Sequence, residues 1–168
     1  AETAVVTNPM TAPGPLAPIS RIGSGELRVD RAANLTTTVW DAANPHSVGI
    51  GFGSVRAIGI QTLSRKIAVR NHSTSARVYT ISSGFRYADD QASGAVTMLH
   101  PATVSVPAKA TVAFTLQMRL DASKLPAWSL GSAANQGTGA LLQTVEFDGY
   151  LTVAGAGDTA TVPWHVIP

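Results

Sequence analysis

In the stretch TVAFTLQMRL, Thr111 to Leu120, every second residue is large and apolar: Val112, Phe114, Leu116, Met118 and Leu120. A period of two puts these side chains on one face of an extended strand, and no helix can gather them on one side. On the opposite face only Gln117 and Arg119 are strongly polar, so that face is expected to be partly covered too.

The same alternation recurs from Thr36 onward. TTTVW (Thr36 to Trp40) is β-branched and aromatic, the composition that suits a pleated, half-buried surface. In VGIGFGSV, Val48, Ile50 and Phe52 face one way while Gly49, Gly51 and Gly53 face the other. RKIAVRN offers Ile67 and Val69 to one face. RVYTIS offers either Tyr79 and Ile81 or Val78 and Thr80. TVEFDGYLTV contains Asp148-Gly149, a pair that marks a hairpin or a bulge, and the apolar residues directly after it favour a bulge within one strand. TATVPWHVI carries Pro163, which predicts an edge or bulged strand because proline donates no ladder hydrogen bond. Trp40 and Trp164 fall in strand patterns and are expected in the core.

Turn clusters separate these runs: Asn71 to Ala76, Tyr87 to Gly94, Val106 to Ala110 and Ala154 to Asp158. A longer loop spans Asp121 to Gly139, with one helical turn expected after Asp121. Seven or eight strands about ten residues apart, with no long helix, predict an all-β antiparallel sandwich of the fibronectin III/immunoglobulin-like kind.

Ahead of the strands the chain differs. Residues 1–33 form a Pro/Gly-rich leader, and 34–168 the sandwich. NPMTAPGPLAP, Asn8 to Pro18, holds four prolines and is expected to be extended. RIGSGELRVDRAANL follows: Gly23 and Gly25 permit unusual backbone, Leu27 and Val29 alternate, and a helical turn is expected near Arg31 to Asn34.

Composition narrows the function. Hydrophobic residues make up 45% of the 168, enough for a core, and charged residues only 13%, so hydroxyls and amides dominate the polar surface. With 12 basic and 10 acidic groups, and no basic run beyond Arg65-Lys66, nothing predicts a nucleic-acid footprint. No apolar stretch is long enough to predict a membrane-spanning helix. The chain has no cysteine, so the fold must hold without disulfides or zinc-thiolate sites. The opening AETAVVTNPM has neither an initiator Met nor a signal-peptide pattern, which suits a mature or excised fragment.

Reactive motifs are few. Gly23-Ser24-Gly25 lacks the strand, turn and helix context of a nucleophile elbow, and no phosphate loop follows it. His46, His72, His100 and His165 stand apart in sequence, so no metal site and no cofactor is predicted. Asp89-Asp90 could contribute to a calcium site, but a solvated turn explains the pair more simply. Asn34-Leu35-Thr36 and Asn71-His72-Ser73 fit the glycosylation pattern. Trp128, in a Gly/Ser-rich loop, is the one candidate binding aromatic.

Three stretches together resemble the C-terminal part of secreted subtilisin-like serine proteases. ISRIGSGELRVDRA is similar to the segment that ends their catalytic domain, with Gly23, Gly25, Val29, Asp30 and Ala32 in its pattern. SRKIAVRNHSTSARVYTIS resembles a strand–turn–strand unit of their fibronectin III-like domain, at Val69, Asn71, Tyr79 and Ile81. VSVPAKATVAFTLQM, with FDGYLTV and VPWHV, is similar to its closing strands. The resemblance implies a non-catalytic accessory sandwich, secreted or at the cell surface. Its partner would be the catalytic domain of the same polypeptide, and with it the protein substrate. Ile22, Gly23, Gly25, Leu27 and Val29 would then form the interdomain docking strip. The alternative is a free-standing carbohydrate-binding or adhesion module with Trp128 in its binding face. A pilus or surface-layer repeat is disfavoured by the lack of internal repetition.

Overall fold

The computed structural model describes residues 18–23, 29–47, 49–127 and 146–168. Two short helices come first, α1 (Ile19–Ile22) and α2 (Val29–Asn34). The strands are β1 (Thr37–Asp41), β2 (Ile50–Ser54), β3 (Ile60–Asn71), β4 (Arg77–Phe85), β5 (Val96–Leu99), β6 (Thr103–Val106), β7 (Thr111–Asp121), β8 (Phe147–Gly155) and β9 (Asp158–Ile167). A third helix, α3 (Ala88–Ser93), lies between β4 and β5. The strands form two sheets, ordered β1-β3-β7-β5 and β2-β9-β8-β4-β6. The chain is thus an all-β sandwich. Its nine described strands exceed the seven or eight expected because β5 and β6, four residues each, are too short to show a period.

The inward faces follow the alternation. Phe114, Leu116, Met118 and Leu120 of β7 are buried, as are Ile50 and Phe52 of β2 and Ile67 and Val69 of β3. On β4 the structure selects Tyr79 and Ile81, leaving Val78 63% exposed. Phe147, Leu151 and Val153 of β8 meet Val162, Trp164 and Val166 of β9 in the same core. Burying each such side chain stabilises the fold by about 1.5–3 kcal/mol. Phe85 packs edge-on to Trp164, with ring centroids 5.2 Å apart.

Strand topology corrects three expectations. Asp148-Gly149 makes neither a hairpin nor a bulge, since β8 runs in unbroken register with β9 through Asp148↔His165 and Gly149↔Trp164. Glycine is needed there for close approach: a Cβ on Gly149 would stand 2.0 Å from the Gly84 carbonyl oxygen and 2.7 Å from the Trp164 ring. Pro163 does not sit on an edge strand, because β9 lies between β2 and β8. Pro163 pairs Tyr150 on β8, and the parallel β2 ladder begins one residue further on, at Ile50↔Trp164. Trp40 is not in the core. It lies half-buried on the outward face of β1, because Thr37, Val39 and Asp41 take the inward positions.

Turns obey local chemistry. The β8–β9 hairpin closes through Ala156 and Gly157, both with positive φ (50° and 85°), the two-residue geometry that matches strand twist. After β7, Asp121 caps the turn Ala122–Lys124 by accepting from the Ser123 N–H at 3.2 Å, as the sequence predicts. Asn71 is fully buried. Its amide donates to the carbonyls of Ser75, Val106 and Pro107, and its oxygen accepts from the Ser73 N–H and hydroxyl. Its sequon is therefore closed to glycosylation in the folded chain. Asp158 accepts from Thr36, Thr37 and Arg77, tying the start of β1 to β4 and β9.

Candidate functional site

On β8 the outward positions Glu146, Asp148 and Tyr150 follow one another at period two, Glu146 standing just ahead of the strand. Outward neighbours come from the adjacent strands: Gly84 pairs Tyr150, and His165 pairs Asp148. Just ahead of β2, Gly49 lies close against β9, since a Cβ there would stand 3.2 Å from Pro163, whereas one on Gly51 would make only ordinary contact with His165 at 3.5 Å.

This face would be expected to be wet, yet Glu146 and Asp148 are buried. The leader is part of the cover. Ile19 is 95% buried, its exposure being 5%, and its backbone N–H donates to Asp148 Oδ2 at 2.5 Å. The Ser20 hydroxyl donates to Glu146 Oε1 at 2.7 Å. Both donors belong to the first turn of α1, whose N–H groups have no partners within so short a helix, so a carboxylate there satisfies the backbone. At the other end Gly23 closes α1 at φ 70°, its N–H returning to the Ile19 carbonyl at 2.7 Å.

Behind these carboxylates stands α3. The solvated turn expected at Asp89-Asp90 is a helix instead, with Asp89 exposed and Asp90 buried. Asp90 Oδ2 and Asp148 Oδ1 have no hydrogen-bond partner among the described residues. Burial pushes the Asp90 carboxyl up to about 7, helped by the charges of Asp89, Asp148 and Glu146. Burial likewise pushes Asp148 up to about 6, against the pull of the Ile19 N–H, with Glu146 raising it further and Arg86 lowering it. Burial and the Asp148 charge push the Tyr87 phenol up to about 12. Arg86 donates from Nη1 to the Tyr150 hydroxyl at 3.0 Å. The arrangement holds protons and seats a short backbone segment. Among the described residues no three His, Asp or Glu side chains are grouped so as to hold a metal ion.

The expected docking strip is brought together only in part. Ile22 is the last residue of α1 and Gly23 its cap. Val29 is not in an extended run but opens α2, where it is 66% exposed. Gly25, Leu27 and Trp128 lie outside the described residues. The residues that do fix the leader, Ile19, Ser20, Glu146 and Asp148, were missed. The alternation of Glu146, Asp148 and Tyr150 could have shown them had Asp148-Gly149 not been expected to bulge the strand and break its period.

No family model matches the chain, and no curated protein matches it. Solved structures with a similar course of chain exist. The PapD-like domain 7 of human CEP192 is similar over 99% of this chain and 95% of that one, at 8% identity and a TM-score of 0.45. The CooA pilin subunit from enterotoxigenic Escherichia coli is similar over 79% and 98%, at 8% identity and a TM-score of 0.41. WR4, an MSP family member of C. elegans, is similar over 79% and 96%, at 12% identity and a TM-score of 0.36. Among the described residues, no helix is long and apolar enough to cross a membrane.

Proposed function

We propose that the chain is a non-catalytic accessory β-sandwich of an extracellular or cell-surface subtilisin-like serine protease, packing on its catalytic domain. The leader would be the hinge of that contact, and the protein substrate would be met by the neighbouring domain. One observation carries the reading. The first turn of α1 is fastened to the sandwich through Ile19 to Asp148 and Ser20 to Glu146, which gives a preceding domain a defined attachment point. The exposed Val29 on α2 supports it, as apolar surface available for a neighbour.

Two measurements test it. The open reading frame ahead of Ala1 is sequenced, and a serine-nucleophile motif of the subtilisin kind is expected there; its absence overturns the assignment. The purified chain is also treated with a fluorophosphonate probe and fluorogenic peptides. No labelling and no turnover are expected, and either one would show a reactive serine that the reading denies.

A further inference from the structure

The outward face of the other sheet carries a second arrangement, independent of the leader. Residues directly opposite one another in neighbouring strands point to the same side. Register across β1, β3 and β7 therefore sets Thr38, Arg70 and Thr111 in one row, Trp40, Ala68 and Ala113 in the next, and Lys66 with Thr115 in a third. The buried Ile67, Val69 and Phe114 occupy the alternate positions, so these rows face outward.

The middle row is an indole beside two methyl-sized side chains, a shallow apolar trough. Trp40 is half-buried, Ala68 buried and Ala113 exposed. A cation borders the trough on each side. Lys66 Nζ donates to Thr115 Oγ1 at 2.9 Å, and Arg70 Nη1 to Thr111 Oγ1 at 3.4 Å, both exposed. Thr38 Oγ1 and His72 Nε2 are 3.0 Å apart at the same end. Further along, the outward positions of β3 and β7 hold Thr62, Ser64, Gln117 and Arg119, and the first carboxylate is Asp121 at the far end.

We propose that this face binds an acidic saccharide, with a sugar ring laid against Trp40 over Ala68 and Ala113 and its carboxylate or sulfate taken by Lys66 and Arg70. The apolar face of a pyranose matches an indole, the sugar hydroxyls match the threonine hydroxyls, and guanidinium and ammonium groups supply charge-assisted bonds to the anion. A single-stranded nucleic acid fits less well. It asks for successive aromatic platforms and cations tracking a backbone, and this trough offers one ring.

The test uses the full chain, titrated by calorimetry with oligogalacturonate, a heparin-derived oligosaccharide, cellohexaose and oligo-dT at low and moderate salt. At least one acidic saccharide is expected to bind with a Kd below 1 mM, weakening with salt, while cellohexaose and oligo-dT bind at least tenfold more weakly. Trp40→Ala and, separately, the double change Lys66→Gln with Arg70→Gln should each weaken binding tenfold or more. The double variant alters only exposed side chains, so it remains informative if Trp40→Ala impairs folding. No binding of either acidic saccharide at millimolar concentration overturns the proposal, as does equal binding of cellohexaose or oligo-dT, or affinity unchanged in the double variant. None of these outcomes bears on α1, which is bonded to Asp148 on the opposite sheet.

Discussion

The backbone N–H of Ile19 donates to the carboxylate of Asp148 at 2.5 Å, although 129 residues separate the two in sequence. This buried bond, together with that of the Ser20 hydroxyl to Glu146, fixes where α1 meets the sandwich. If it holds in solution, the Ile19 amide should exchange with deuterium slowly. In Asp148→Ala it should exchange at least tenfold faster, while core amides such as that of Leu116 slow or stay unchanged. Equal exchange at Ile19 in both proteins would show that the leader is not seated there.

Acidity should strengthen this fold over part of the range. Asp90 and Asp148 titrate at about 7 and about 6 in the folded chain, above the usual 3.8, so the folded state holds extra protons between those limits. Their stabilising contribution is full below about pH 4 and is lost as the pH rises through 6 and 7. Burial sets it first, and then the charges of Asp89 on α3, Glu146 ahead of β8 and Arg86 just past β4, with the Ile19 N–H opposing it. The melting temperature is expected to rise as pH falls from 8 to 5, and Asp90→Asn should flatten that slope while raising stability at pH 8. Below about pH 4 the trend reverses. Asp158 is held low by the Thr36 hydroxyl and Arg77, and Asp121 by Ser123, so both lose their partners' support on protonation. A Tm falling steadily from pH 8 to 5 would refute this account.

Gly149→Ala should be among the most damaging single changes in the molecule. The added methyl meets backbone on one side and the Trp164 indole on the other, neither of which can yield cheaply. A loss on the order of 3 kcal/mol or more is expected. Gly53→Ala tests a different term: its Cβ would meet nothing within 4 Å, but the residue sits at φ 82°. It should cost about 1 kcal/mol, from backbone strain alone. Chemical denaturation of the two variants separates the effects.

Asn71→Ala would strip donors from three carbonyls and an acceptor from Ser73 in one step. Leaving such groups unpaired in a buried turn costs about 2–3 kcal/mol. For a chain of this length each kcal/mol lowers Tm by about 2–4 °C. A drop under 2 °C would mean that water replaces the side chain.

How much of this was legible beforehand varies with the physics of each element. Strands of nine residues or more, such as β7 and β3, show their period because many inward positions must agree. β5 and β6 do not, since four residues give two inward positions. The burial of Asp90 and Asp148 was invisible for another reason: their cover comes from parts of the chain remote in sequence, and local composition argues for a solvated turn at Asp-Asp and a bulge at Asp-Gly. Trp40 misled because a strand pattern says that a residue alternates, not which side faces the partner sheet. Only the register, with Thr37 and Val39 turned inward, decides that.

The parallel pairing of β2 with β9 has a consequence for synthesis. β9 emerges from the ribosome long after β2, and without it β2 has no hydrogen-bonded neighbour in its sheet. Until β9 is made, the nascent chain holds Ile50 and Phe52 on a strand without its partner, and this sheet cannot be completed. Deleting β9 would strand that early segment as an open edge, a template for aggregation rather than for folding.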